Sequence, residues 1–314
     1  MRTTLIKCHG SGNDFFIVDE TTLSGPLSDK DRQEISQLIC KRNHHLGGSD
    51  GVLFYIENKE VQSQMRMFNP DGSEPEMCGN GIRCHARYAY EKSGINPMKI
   101  KTQKAMLEVT KTDDMYPGIQ TYETEIGPVS FSPDTISRSI KDEIFNTSIP
   151  GFFEEFAFSA ISVPNPHLIT MVDQVDEETV KRVGESANNN ILFSEGINVS
   201  FIHKIGNNSL FVMTYERGVG LTSACGTAMS ASTFIAAKMK QVRFNEYIDI
   251  SNKGGRVQCK AIVTPKPMIY LKGNATYTHQ YNVSIALDKQ KIEVHQKHVF
   301  ENEIVAYEKL RSNK

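Results

Sequence analysis

Phe68-Asn-Pro-Asp-Gly-Ser-Glu-Pro-Glu-Met-Cys78-Gly-Asn-Gly-Ile-Arg83 places a cysteine, followed at once by glycine, where a strand-like apolar stretch passes into a helix-like one. The stretch Tyr215-Glu-Arg-Gly-Val-Gly-Leu-Thr-Ser-Ala-Cys225-Gly-Thr-Ala-Met-Ser230 repeats this arrangement. A cysteine at a helix N-terminus has its thiolate stabilised by the unpaired N–H groups and by the helix dipole. Two such cysteines facing one ligand would form a matched acid and base.

Both cysteine contexts belong to a longer internal repeat. Three pairs of positions recur in the same order: Asn13 and Asn165, Gly51 and Asn198, and Asn69 and Glu216. The last two pairs precede their cysteines by 27 and nine residues, and the first pair by 65 and 60 residues. The shared order predicts two similar halves, each built mainly of strands around one helix.

The predicted fold is therefore α+β, with two pseudo-symmetric domains, each a mostly antiparallel sheet or barrel wrapped around a central helix. The chain of 314 residues suits two domains better than one. We expect the first domain at 1–130 plus about 274–314, the second at 131–273, and the active site in the cleft between them, where ligands favour binding. Among the individual elements, we expect one strand near 98–110 and a strand pair at 274–287. The tail, 288–314, is expected to be a strand and terminal helix or a loosely held extension, and its sequence suggests no function.

Composition narrows the class of protein. The hydrophobic fraction of 39% and the charged fraction of 23% fit a globular protein, and the net charge of −2 gives no reason to expect nucleic acid or an anionic membrane as a partner. The N-terminus has no apolar signal segment, and no run of about 18 apolar residues occurs. We therefore expect a cytoplasmic protein.

The remaining cysteines do not indicate a disulfide framework or a metal site. Six cysteines in a long chain without CxxC spacing fit neither a secreted disulfide scaffold nor structural zinc. We predict packing roles for Cys8, Cys40, Cys84 and Cys259. The nucleotide-binding patterns GxGxxG and GxxxxGK[ST] are missing and no pyridoxal-phosphate signature is evident, so we expect no metal and no cofactor.

The glycine after each cysteine permits close approach of the backbone to a ligand. The amides of Cys78-Gly79-Asn80 and Cys225-Gly226-Thr227 would hold a carboxylate at two helix starts and stabilise charge that develops on it. One thiolate would remove the α-proton from one face while the opposite thiol delivers a proton to the other. Stereochemistry then inverts with no redox change.

At these residues the chain resembles the diaminopimelate epimerase family, whose members interconvert LL- and meso-diaminopimelate without a cofactor. The resemblance runs from His9-Gly-Ser-Gly-Asn13-Asp-Phe to about Gly273. Its most specific elements are Met77-Cys-Gly-Asn-Gly-Ile-Arg83, Pro164-Asn-Pro-His167, Gly196-Ile-Asn-Val199, Glu216-Arg-Gly-Val-Gly220 and Ala224-Cys-Gly-Thr227. It implies an isomerase of lysine and peptidoglycan precursor biosynthesis that acts on a small diamino diacid and forms a homodimer.

The resemblance also implies a role for each matching position. Cys78 and Cys225 match the acid/base pair. The positions that hold the reacting α-carboxylate are Gly79, Asn80, Gly226 and Thr227, and the polar substrate ligands are Asn13, Asn69, Asn165 and Asn198. Glu216 and Arg217 match the pair that binds the distal end, where a carboxylate pairs with an ammonium and a guanidinium with a carboxylate. His167 matches a motif histidine that tunes the thiols.

Other interpretations remain open. His167 also fits a turn histidine hydrogen-bonded to backbone, and asparagines are common at turns for their own backbone bonds. Gly51 stands where some relatives place a substrate-contacting glutamine. A two-thiol racemase of histidine or proline would share the fold; proline has little use for Glu216 and Arg217, whereas imidazole could use Glu216. A redox or ligand-binding protein would need only the two cysteines, not the amide cradles or the arginine.

Overall fold

The computed structural model describes residues 1–75 and 78–312, so Met77 of the cysteine motif and the last two residues of the tail lie outside the described residues. Its contacts divide the chain into two compact units, Met1–Thr124 with Gly273–Lys314, and Glu125–Lys272. The predicted bounds of the two catalytic halves, 1–130 with about 274–314 and 131–273, stay predictions.

The elements alternate between strands and a few helices. The chain begins with β1 (Arg2–Gly10), β2 (Asn13–Asp19), α1 (Asp29–Ile39), β3 (Gly51–Ile56), β4 (Ser63–Phe68), α2 (Gly79–Ser93), β5 (Met98–Lys101), β6 (Met106–Thr112) and β7 (Thr121–Ile126). It continues with β8 (Phe158–Ser162), β9 (Pro166–Met171), α3 (Glu177–Asn188), β10 (Asn198–Gly206), β11 (Ser209–Glu216), β12 (Gly220–Thr222), α4 (Gly226–Lys238), β13 (Ile248–Ser251), β14 (Arg256–Ile262) and β15 (Met268–Asn274). It ends with β16 (Thr276–Ala286), β17 (Lys291–Val299) and α5 (Glu301–Ser312).

The strand pairing follows the same order in both units. In the first unit, β1–β2 is antiparallel, β2–β3 parallel, β3–β4 antiparallel, β4–β5 parallel, and β5–β6 and β6–β7 antiparallel. In the second, the pairs β8–β9, β9–β10, β10–β11, β11–β13, β13–β14 and β14–β15 repeat that series. Each parallel pair is joined through a helix, as parallel strands require. The predicted α+β fold of two pseudo-symmetric domains is therefore confirmed.

The two helices behind the cysteines are the most buried of the molecule. In α4, every residue except Thr227 and Lys238 is buried. A helix that is buried on all sides belongs to a core. Helix α2 packs its apolar residues against β1, β2 and β3 and ends at Gly94, whose φ of 68° is the left-handed conformation that glycine adopts most readily. Helix α4 is thus held along most of its length and α2 over Gly79–Arg87, which fixes the position of their first turns.

Three details of the sequence-based assignment differ from the structure or were left open by it. The predicted strand at 98–110 is wrong as a single strand, because residues 102–105 turn the chain between β5 and β6. The predicted strand pair at 274–287 is one strand, β16, which lies between β1 and β17. The tail forms β17 and α5, which is the ordered alternative of the two that were expected.

The four cysteines predicted as packing residues are buried thiols: Cys8, Cys40, Cys84 and Cys259. Among the helices of the described residues, none has the length and apolar character needed to cross a membrane.

Candidate active site

Cys78 is the N-cap residue of α2. Its backbone is extended (φ −142°, ψ 103°), and Sγ accepts a hydrogen bond from the Gly81 N–H at 3.3 Å. A Cβ on Gly81 would lie 3.4 Å from Sγ and 3.1 Å from Leu53 Cδ2, so glycine allows the sulfur to fold back over the first turn. An N–H donor and the positive end of the helix both favour the thiolate form.

Asn13, the first residue of β2, lies beside this sulfur. Its Oδ1 is 3.8 Å from Cys78 Sγ and 3.4 Å from Asn80 Nδ2. Its Nδ2 donates to Asp50 Oδ2 at 2.7 Å, and Asp50 Oδ1 accepts from Arg42 Nη2 at 2.5 Å. Because a carboxylate only accepts, Asp50 fixes the amide with its oxygen towards the thiol.

Asn80 is buried and tied to the same helix turn. Its Oδ1 accepts from Arg83 Nη2 at 2.9 Å, and Arg83 Nη1 donates to the Gly79 carbonyl at 2.8 Å. Arg83 is itself 0% exposed. A fully buried guanidinium therefore holds the first turn of α2, where the predicted carboxylate-binding residues Gly79 and Asn80 lie.

Asn69 follows β4 and belongs to a separate turn. Its N–H donates to the Ser73 carbonyl at 2.8 Å and its Nδ2 to Ser73 Oγ at 3.0 Å. Arg66 and Glu74 form a bidentate ion pair, at 2.5 and 2.7 Å, that spans the same turn. The turn occupies the position after β4 that corresponds to Glu216 at the end of β11.

Cys225 is the N-cap residue of α4, in the position that Cys78 has at α2. Its backbone is extended (φ −121°, ψ 110°), and its carbonyl accepts from the Met229 N–H at 3.0 Å. Sγ lies 3.4 Å from Thr227 Oγ1. The side chain is buried. Burial raises the pKa of the Cys225 thiol well above its usual range, and the negative charge of Glu216 raises it further.

Glu216 ends β11 beside this thiol. Burial raises the pKa of its carboxyl, against the opposing influence of the Thr222 and Cys225 side chains. The structure thus places Glu216 beside Cys225, which follows it by nine residues in the sequence. The neutral Cys225 thiol stabilises the Glu216 carboxylate, and the charge of that carboxylate disfavours ionisation of the thiol.

Arg217 and Asn198 are joined through the backbone. Asn198, the buried first residue of β10, accepts at Oδ1 from the Arg217 N–H at 2.9 Å and donates from Nδ2 to the Pro166 carbonyl at 3.2 Å. The exposed Arg217 side chain donates from Nη1 to the Glu195 carbonyl at 2.9 Å. Asn198 therefore links the start of β9 to the chain that carries the guanidinium.

His167 lies opposite Asn198 in the parallel β9–β10 register and is 0% exposed. Its Nε2 is 3.1 Å from Asn165 Oδ1. Burial, with the positive charge of Arg217, lowers the pKa of His167 to about 3. The ring is therefore neutral at ordinary pH, so it acts on neighbouring groups by hydrogen bonding rather than by charge.

The structure brings the predicted residues together in two sets. One set, in the first unit, contains Asn13, Cys78, Gly79 and Asn80; the other, in the second unit, contains Asn165, His167, Asn198, Glu216, Arg217, Cys225, Gly226 and Thr227. Within the described ranges, no three His, Cys, Asp or Glu side chains come together to hold a metal ion. Sequence reasoning missed Asp50 and Arg83, although a charged residue on the buried face of a predicted helix was a usable signal for Arg83.

The comparisons with known proteins are consistent with one another. A family model described as diaminopimelate epimerase matches residues 5–131 and 159–278. The diaminopimelate epimerase of Listeria monocytogenes serotype 4a (strain HCC23) is 42% identical over 286 residues, which cover 88% of this chain and 87% of that protein. The diaminopimelate epimerase of Ligilactobacillus salivarius (strain UCC118) is 41% identical over 293 residues, 90% of each. A phenazine biosynthesis protein of the PhzF family from Bacillus anthracis has the same fold, with a TM-score of 0.65, 16% identity and coverage of 91% of this chain and 100% of that chain.

Proposed function

We propose that this chain, which belongs to the diaminopimelate epimerase family, is an isomerase that interconverts LL- and meso-diaminopimelate by a cofactor-independent two-thiol mechanism. One observation carries the mechanism. Cys78 and Cys225 are the N-cap residues of α2 and α4, helices that fill the same place in the repeated pairing order of the two units. A packing role for either thiol gives no reason for that repetition.

Proton transfer follows from the surroundings of the two thiols. A thiolate takes the α-proton of the substrate and becomes a thiol, the carbanion takes a proton from the other thiol, and that thiol becomes a thiolate. The Gly81 N–H favours the ionised form of Cys78, whereas burial and Glu216 favour the protonated form of Cys225. We therefore assign Cys78 as the base and Cys225 as the acid in the resting enzyme. The roles exchange after each turnover.

The amide groups at the two helix starts hold the reacting carboxylate in this proposal. Gly79 and Asn80 belong to the first turn of α2, and Gly226 and Thr227 to that of α4. The N–H groups at a helix N-terminus bind anions and stabilise the negative charge that develops as the proton leaves. When Cys78 is protonated, Asn13 accepts from its thiol at 3.8 Å and so aims the proton.

The distal end of the substrate is assigned to polar residues of the second set and to Asn69. A guanidinium carries five N–H donors. Arg217 uses one of them on the Glu195 carbonyl and is exposed, which suits capture of a second carboxylate. Glu216 is assigned to the ammonium group and to the thiol beside it. Asn69, Asn165 and Asn198 complete the assignment, and the neutral His167 orients Asn165. A homodimer in the cytoplasm is proposed on family membership alone.

The test is solvent-deuterium incorporation in D₂O under reducing conditions, with LL-diaminopimelate, histidine, proline and lysine offered in parallel. Exchange at the α-carbon of diaminopimelate alone is the expected result. Exchange with histidine or proline alone would keep the two-thiol chemistry and reassign the distal site. No exchange with any of them would overturn the proposal in favour of a redox or binding protein.

Replacement of each catalytic thiol gives a second test. Cys78→Ala and Cys225→Ala should each abolish epimerisation, because each removes one member of the acid/base pair. Cys84→Ala is the matched control, since Cys84 is a buried thiol on the same helix as the Cys78 site. It should keep its activity within about threefold, as expected for loss of one small buried group. Full turnover by either catalytic variant would exclude the two-base mechanism.

A further inference from the structure

The turn between β1 and β2 lies directly against the first turn of α2. A Cβ on Gly10 would come within 3.1 Å of Asn80 Cα and 3.0 Å of Arg83 Nη2, closer than ordinary contacts. The same turn leads into Asn13, whose amide oxygen faces Cys78 Sγ. Any displacement of this turn therefore moves Asn13 and the start of α2 relative to each other.

The turn has a backbone conformation that other groups must stabilise. Ser11 has a φ of 54° and Gly12 a φ of 82°, and a non-glycine residue in this region costs about 1 kcal/mol. The Ser11 N–H donates to Asn274 Oδ1 at 2.7 Å, and the Gly12 N–H donates to His9 Nδ1 at 3.3 Å. The His9 ring must therefore be neutral, with Nδ1 unprotonated, to hold the turn.

Tyr307 of α5 packs against the His9 ring. The two rings are 4.3 Å apart at their centroids, in an edge-on arrangement at 69°. The charged groups that face His9 are Asp14 of β2, Glu303 of α5 and Arg83 of α2, and the carboxylates raise its pKa while Arg83 lowers it. Burial outweighs them and lowers the pKa of His9 to about 4.

Helix α5 is joined to α2 by an ion pair. Glu303 forms a bidentate ion pair with Arg87 at 2.5 and 2.7 Å and accepts from the Tyr277 N–H at 2.9 Å. The Arg87 guanidinium lies over the Tyr277 ring, 3.6 Å from its centroid. Arg87 is one helical turn beyond Arg83, so α5 contacts both His9 at the end of β1 and the helix that Cys78 caps.

We propose that α5 is a positioning element of the Cys78 site, and that Tyr307 acts through His9 on the turn that carries Asn13. The inference rests on the proposed function and assigns a role to a helix outside the residues that the family model matches, 5–131 and 159–278. Tyr307 is a positioning residue because it touches His9 and not the reacting atoms.

The test is the pH dependence of Tyr307→Ala relative to the parent enzyme. The variant should lose about tenfold in kcat/KM near pH 8, as is common when a supporting residue is removed. It should lose more as the pH falls towards about 6, because an exposed histidine titrates near 6.5 and a protonated Nδ1 no longer accepts from Gly12. Tyr307→Phe keeps the ring against His9 and should therefore keep the shape of the parent's pH profile.

Two further variants separate positioning from loss of stability. Leu310 lies on α5 with Tyr307, and its buried side chain packs with Tyr307 and with Ile119. Leu310→Ala should therefore lower the stability of the fold without changing the pH profile. His9→Gln in the Tyr307→Ala background should remove the extra acid loss, since no imidazole remains to titrate. If Tyr307→Ala is recovered only as aggregate, Tyr307→Leu takes its place under the same criteria.

A second readout does not depend on the substrate. Alkylation of Cys78 by iodoacetamide, followed by mass spectrometry, should differ between variant and parent by about threefold or more near pH 6, with the Cys225 rate unchanged. If the ratio of variant to parent is the same near pH 6 and near pH 8, both for the alkylation rate and for kcat/KM, the inference is overturned. If the parent exchanges no diaminopimelate but the variant still differs from it in the alkylation of Cys78, the proposed function is overturned and the role of α5 is kept.

Discussion

Acidification should destabilise this fold through two fully buried histidines. His85 of α2 and His167 of β9 are both 0% exposed, and burial lowers the pKa of each to about 3. In the unfolded chain a histidine titrates near 6.5. Between these values the unfolded state binds protons that the folded state excludes, so the free energy of unfolding falls as the pH falls.

The size of the effect follows from the same pKa values. From about pH 7.5 to about pH 5, each histidine should remove about 2 kcal/mol from the free energy of unfolding, about 4 kcal/mol for the pair. His9, with a pKa of about 4, acts in the same direction. The raised pKa of Glu216 acts in the opposite direction, because its folded carboxyl binds a proton before the unfolded one does.

Urea unfolding at the two pH values, followed by far-ultraviolet circular dichroism, measures this difference; the chain has no tryptophan to report by fluorescence. His85 lies in one unit and His167 in the other, so each unit's transition contains one such group. His85→Gln keeps a polar partner for Ser63 and should reduce the acid loss by about 2 kcal/mol. A free energy of unfolding that is equal or higher at the lower pH would refute the reasoning.

Substitutions at two positions probe the supports of the candidate site. Gly196 has a φ of 76°, and a Cβ there would lie 2.5 Å from Arg217 Cδ. Gly196→Ala should therefore raise KM for diaminopimelate about tenfold while kcat stays within about twofold of the parent. Steady-state kinetics in which kcat falls and KM stays the same would contradict the role of Arg217. Asp50→Ala releases the Asn13 amide and should lower kcat about tenfold with unchanged circular dichroism. Asp50→Asn retains an acceptor and should recover most of that loss, so equal damage by both variants would contradict the orienting role of Asp50.

Much of the architecture could be predicted because short sequence motifs mark the repeat. A cysteine before glycine at the end of an apolar stretch marks a helix start in each half, and the structure has a helix at both positions. The turn that splits the predicted strand at 98–110 contains neither glycine nor proline. It is closed instead by Thr102, whose Oγ1 donates to the Ala105 carbonyl and accepts from the Ala105 N–H, both at 3.0 Å.

The contacts that support the site were beyond sequence reasoning because they join distant residues. Asp50 meets Asn13 across 37 positions, and Tyr307 meets His9 across almost the whole chain. A single sequence encodes such pairs in no periodicity or motif. The roles assigned to the asparagines, Glu216 and Arg217 stay predictions, and the hydrogen bonds around them show only which neighbours hold each side chain.

The position of β1 has a consequence for how the protein is made. β1 lies between β2 and β16, and Arg2 pairs with Ser284. A ribosome releases the first strand long before its second neighbour, whereas Glu125–Lys272 is one continuous stretch that can fold as soon as it emerges. The nascent chain therefore carries an unpaired strand edge through most of its synthesis, so the half with Cys225 matures first and the half with Cys78 waits for the final strands.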